Sequence, residues 1–188
     1  MIQQTRTEIK SASQLLLAPD DGSRRELLKG ILIVMSPAGS EHGRIASRIL
    51  TRLSIHVEAN NLGETFAAET GFLIESDPDT VRAPDAAFVS YQKMSDVDDT
   101  TGYLPLAPDL VVEVLSPNDS SSEIEAKVEQ WLDAGSRIVL VADPKNATLR
   151  VYRSKSQIQV LHSGEVFSSG ETCNNWRLAV DDVFGGRK

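Results

Sequence analysis

The chain has 188 residues, 40% hydrophobic and 24% charged, with a formal net charge of −8. This describes one folded domain with a substantial core and excludes a disordered chain. The acidic balance excludes a protein that holds nucleic acid through a general basic surface, but not an enzyme that reaches it through a local basic strip and bound divalent cations.

No apolar run approaches the ~20 residues needed to cross a bilayer, and the polar start MIQQTRTEIK lacks a signal-peptide core. The single cysteine, Cys173, can form neither an intramolecular disulfide nor a thiolate zinc cage, and reads as a bystander thiol. A cytoplasmic protein without membrane contact is expected.

Residues 1–23 begin polar and end in PDDGS, which reads as a turn-rich N-terminal arm; residues 24–188 read as a single domain. RELLKGILIVMSP reads as two short strands around Lys29-Gly30, or as a strand entry and exit. In SPAGSEHGRIASRILTRLSIHVEANN, Ile45, Ile49, Leu53 and Val57 recur on one helical stripe behind Ser40 as N-cap, predicting a helix over 41–58. TFAAETGFLIES and TVRAPDAAFVS look like paired strands joined at Asp77-Pro78-Asp79, and YQKMSDVDDTTGYLPLAP like a long polar connection. PDLVVEVLS reads as a central strand with apolar residues on both faces. A second helix is expected over 122–134, opened by a Ser122/Glu125 capping box and stopped by Gly135. RIVLVAD, TLRVYR and QIQVLH complete a strand series, and NWRLAVDDVFGGRK adds one short strand. The order of elements predicts an α/β (α+β) domain around a mixed sheet.

Three positions break this pattern. Glu113 lies within LVVEVL, where an unpaired carboxylate would cost several kcal/mol or stay protonated; it reads as a buried, functional acid. Lys127 falls inside the helical core stripe marked by Ile124, Val128 and Trp131. The charges of Glu113 and Lys127 can offset each other's burial. Asp85, after Pro84, supplies a second carboxylate at the start of a neighbouring strand. Two carboxylates bracketing a gap bind Mg²⁺ or Mn²⁺ through oxygen while leaving positions for water and phosphate. Such an ion acidifies bound water and offsets charge on a scissile phosphate, and a lysine shares the transition-state charge. The reading is therefore Asp85, Glu113 and Lys127 as catalytic residues, Asp85 and Glu113 as metal ligands, and phosphodiester hydrolysis as the reaction.

The segments RAPDAAFVS and PDLVVEVLS…EIEAKVEQWLDAGSRIVLVADPKNATLRVYR, with SPAGSEHGRIASRIL and AAETGF before them, resemble the Uma-type restriction endonucleases of the PD-(D/E)XK superfamily, over about residues 24–155. The resemblance implies a restriction-endonuclease-like mixed sheet flanked by helices, with additional hairpins, and Mg²⁺ (or Mn²⁺) as cofactor. It also implies a nucleic-acid substrate, with DNA expected, and a homodimer. By it, Asp85 takes the proline-aspartate position and Glu113 the second acid. Leu115 stands where the superfamily's lysine usually falls, so the lysine looks migrated onto the following helix at Lys127. Members tend to carry an acid in the early turn-and-strand segment, where this chain has Ile31.

Glu41, His42 and Glu69 are auxiliary candidates. Glu41 and His42 open the first helix, and Glu69 would share a strand face with Ala67 and Gly71; plain alternatives are dipole compensation for Glu41 and a cross-strand ion pair for Glu69. His56 and His162 read as surface or packing residues. Ser116 lacks the glycine-flanked elbow of a hydrolase nucleophile. The competing class is a catalytically silent nuclease-fold domain that binds nucleic acid or a partner. Replacing Lys127 by alanine is expected to abolish cleavage without unfolding the chain.

Overall fold

The computed structural model describes residues 8–19, 21–117 and 119–185; the first seven positions of the N-terminal arm and the final three of the chain lie outside them. The elements in chain order are α1 (Ala12–Leu16), β1 (Arg24–Leu28), β2 (Ile31–Met35), α2 (Ser40–Ala59), β3 (Gly63–Ala67), β4 (Phe72–Glu75), β5 (Thr80–Arg82) and β6 (Ala86–Ser90). They continue as α3 (Tyr91–Met94), β7 (Leu110–Val114), α4 (Ser121–Asp133), β8 (Ile138–Asp143), β9 (Thr148–Ser154), β10 (Gln157–Leu161), β11 (Val166–Ser168), β12 (Arg177–Ala179) and α5 (Val180–Phe184).

A six-stranded mixed sheet, ordered β10-β9-β8-β7-β6-β3, forms the centre. Its single parallel pair is β7–β8, because α4 carries the chain from the end of one strand back to the start of the next. The two-residue side-chain period then sorts the core into two layers. Leu110, Val112 and Val114 of β7 join Ile138 and Leu140 of β8 under the α2 stripe of Ile45, Ile49, Leu53 and Val57. Val111, Val139 and Val141 face the other way, under Ile124, Val128 and Trp131 of α4. The central strand is thus buried on both faces, as its near-continuous apolar run requires.

A smaller sheet, ordered β2-β1-β5-β4, packs on the α4 side, where Phe72 of β4 meets Phe66 and Trp131 edge-on at centroid distances of 5.5 and 6.3 Å. Leu15 of α1 packs with Leu27 and Val81 beneath it, so a capped helical turn lies within the stretch read as turn-rich. Among the described residues, no helix is long and apolar enough to cross a membrane.

Three local expectations change. Gly39, not Ser40, is the N-cap of α2, and it makes no side-chain cap bond. The capping box of α4 is Ser120 with Glu123; Ser122/Glu125 has the same spacing, but Glu125 instead accepts the Tyr152 hydroxyl at 2.7 Å. The two long strand runs each cross between sheets: β4 and β5 pair in the small sheet, whereas β3 and β6 pair in the large one. The breaks fall at Glu69, where φ is 73°, and at Pro84, which has no amide hydrogen to continue a ladder.

If α2 is held by its apolar stripe, Ile49→Ala will cost about 3 kcal/mol through lost burial and a residual cavity. Urea unfolding measures this directly, and a loss below about 1 kcal/mol would mean that the α2 layer is loosely packed.

Candidate active site

Asp85 lies at the crossing between the two sheets. The ladder pairs Ala86 with Val112, and the Asp85 amide still donates to the Val112 carbonyl at 3.0 Å. That anchor turns the Asp85 carboxylate back along β7, where Oδ2 accepts the Val114 amide at 2.8 Å. Asp85 therefore meets the backbone of the residue directly after Glu113. Its other contacts come from separate elements. Arg24 at the start of β1 donates to Oδ1 at 3.2 Å and to the Ala83 carbonyl at 2.6 Å, and His42 Nε2 sits 3.1 Å from Oδ2.

Glu113 points from β7 into the α4 layer, with 4% of its surface exposed. Lys127 Nζ donates to its Oε2 at 2.8 Å, and the Trp131 indole N–H donates to its Oε1 at 2.8 Å. Positions 127 and 131 are one helical turn apart, so α4 presents both donors to one carboxylate. The tryptophan thus packs the core, as its stripe position implies, and also fixes the acid.

A third acid belongs to this cluster and escaped the sequence reading. Glu26 of β1 is 1% exposed, lies 3.6 Å from Lys127 Nζ, and accepts the Ala83 amide at 3.0 Å. Arg82 donates to it at 2.5 Å and also to Gln130 of α4, at 2.6 and 2.9 Å. The early segment does contribute an acid, two strand positions after Arg24 and on the same face; Ile31 lies on the exposed outer surface of β2. The available signal was weak: in RRELL a glutamate beside two arginines reads as a solvated strand position.

The electrostatics follow from this crowding. Burial opposes the Asp85 charge, but the His42 hydrogen bond and charge, the Val114 amide and Arg24 outweigh it and hold the carboxyl below its usual range. Burial also opposes ionisation of Glu26, yet Lys127 and Arg82 lower its pKa. Glu113 is pushed upward by burial, against the pull of Lys127, with the charges of Asp85 and Glu26 adding to the rise. Burial works against the Lys127 ammonium, but Glu113 and Glu26 keep it charged above the ordinary lysine value. His42 is raised, first by its hydrogen bond to Asp85.

The auxiliary candidates divide. His42 joins the cluster. Glu41 does not: its side chain is exposed and lies 3.5 Å from Arg44. Glu69 lies beyond the end of β3 in a turn rather than on a strand face with Ala67 and Gly71, and it lines a cleft of about 370 Å³ that also touches Arg24, His42 and Asp85. Among the described residues, no group of three or more His, Cys, Asp and Glu side chains is arranged to hold a metal ion. Cys173 is buried away from this cluster, its thiol pushed up to about 12 by burial and by Asp109, which suits a bystander.

The fold is that of a nuclease-like α+β protein. The chain is similar to the crystal structure of a putative nuclease belonging to DUF820 from Anabaena variabilis, with a TM-score of 0.79 at 19% identity, covering 93% of this chain and 97% of that one. The Uma2 family model, described as "Putative restriction endonuclease", matches residues 12–181; the chain belongs to that family. No curated protein matches it.

The expectation that Lys127→Ala leaves the fold intact needs correction. Lys127 compensates two buried carboxylates, so its removal strands both and will cost about 3 kcal/mol. Glu26 gives a pH test. Its folded pKa lies below the ordinary 4.5, so the stability it supplies is complete above that value and is lost as pH falls through the depressed one. Urea titrations of Glu26→Gln should show a deficit of about 3 kcal/mol at pH 7 that closes in acid; a deficit independent of pH would mean that the carboxylate charge contributes nothing.

Proposed function

We propose that the protein is a divalent-metal-dependent nuclease that hydrolyses phosphodiester bonds of nucleic acid, DNA in the first instance. The observation that carries this reading is that Lys127 lies 2.8 Å from Glu113 while Asp85 bonds the amide of the next residue, Val114, and acts on both through its charge. The donor set suits a hard cation. Carboxylate oxygens are its preferred ligands, and Glu113, pushed upward first by burial against the pull of Lys127 with the charges of Asp85 and Glu26 adding to the rise, would be eased as an anion by an added cation.

Asp85 and Glu113 would hold Mg²⁺ or Mn²⁺, which when bound acidifies water and polarises the phosphate. The protein's own groups do the rest. Lys127, kept charged by Glu113 and Glu26, offers an ammonium where negative charge builds on a phosphate oxygen. Trp131 fixes the Glu113 carboxylate, and Arg24 and His42 fix that of Asp85. These second partners limit the freedom of both acids, which lowers the reorganisation needed when substrate arrives.

A second reading, a catalytically silent domain, is favoured by one fact: both oxygens of Asp85 and both of Glu113 already have protein donors. The two readings part on metal binding. Calorimetric titration with Mn²⁺ should show uptake that Asp85→Asn removes. Nicking of supercoiled DNA should fall on the order of 100-fold in Asp85→Asn and in Glu113→Gln. Absence of Mn²⁺ uptake by the unaltered protein would select the silent domain.

A further inference from the structure

The cleft beside Asp85 has a feature that the cluster itself does not explain. One wall is the first turns of α2, with Gly43, Ala46 and Ser47; another is the end of β3 and the turn after it, with Ala67 and Ala68. The lining is mainly small and apolar, and its charged or titratable members are Arg24, His42, Glu69 and Asp85. Its volume of about 370 Å³ falls within the ~300–1,000 Å³ of sites that take small organic groups.

Gly43 is the informative residue. It sits inside a helix, where glycine is less favourable than alanine through its extra backbone freedom. Its φ is not positive, and a Cβ built on it would meet no atom within 4 Å. Nothing in the fold forbids a side chain there. What a side chain at Gly43 would change is the open space of the cleft.

We propose that this cleft is a nucleoside pocket that receives one unpaired base of the substrate strand next to the phosphate that reacts at the acid cluster. The inference rests on the nuclease reading and adds the substrate class: single-stranded or locally unpaired nucleic acid. The cleft shares Asp85 with the acid cluster, so whatever fills it adjoins the group placed to act on a phosphate, and in a nucleic acid that neighbour is a nucleoside. Small apolar walls accept the flat faces of a base, and Arg24 in the lining sets a positive charge beside Asp85. A base inside a duplex is stacked and paired, so entry needs a base already free or one extruded at an energetic cost.

Gly43→Leu fills the cleft while raising helix propensity, so its melting temperature should not fall. Fluorescence anisotropy in EDTA, where metal-dependent cleavage is absent, would measure binding of a fluorescein-labelled oligodeoxythymidylate and of a labelled blunt duplex. The unaltered protein should bind the single strand roughly tenfold more tightly than the duplex, and Gly43→Leu should lose roughly that factor for the single strand alone. Equal affinity for both, no binding to either, or full single-strand affinity in a folded Gly43→Leu would each overturn the pocket. Because no arm depends on hydrolysis, failure of the nuclease chemistry shows separately, as binding without metal-dependent cleavage.

Discussion

A carboxylate buried on the central strand sets the terms for the rest of this molecule. Glu113 stands in a layer of valines and tryptophan where charge is strongly disfavoured. It persists because α4 brings an ammonium and an indole N–H to its two oxygens. That pairing requires β7, the connection and α4 to follow one another closely, and the parallel β7–β8 step places α4 there. The same lysine then needs more than one acid nearby, since a buried ammonium is also costly. Glu26 fills that need from the second sheet.

The small sheet is therefore more than an appendage. Its β1 and β5 deliver Arg24, Glu26 and Arg82 to the end of the large sheet, and Gln130 of α4 ties Arg82 back to the helix that carries Lys127. Asp85 occupies the only stretch that passes between β5 and β6, so one short segment fixes both the sheet crossing and the placement of an acid. A buried network of this kind contributes little net stability compared with an apolar core, because desolvation offsets most of the attraction. It lies where the two sheets and α4 come together.

The charge balance of the whole chain and that of the site point in different directions. A net charge of −8 repels a polyanion at long range, yet screening confines that repulsion to about 8–10 Å at physiological ionic strength. Within the cluster, three acids meet Arg24, Arg82, Lys127 and His42. Acids and bases thus nearly balance within the cluster, so the net negative charge of the chain is not concentrated there.

The amino-acid sequence alone determined the features that depend on neighbours a few residues apart. The α2 stripe, the doubly apolar β7 run interrupted by Glu113, and Lys127 inside the α4 stripe were all legible, because helical and strand periodicities report which side chains share a face. Asp85 was legible from its place after Pro84 beside a strand, together with the family resemblance. Tertiary structure decided the remainder. Glu26 and Arg82 are 56 residues apart, and Arg24 and Asp85 are 61 apart; neither local spacing nor propensity encodes such pairings. The exchange of strands between two sheets and the engagement of Glu125 by Tyr152, which leaves the cap of α4 to Ser120, likewise follow from long-range contacts. A local pattern specifies which face a residue occupies, but only the assembled layers determine what that face meets.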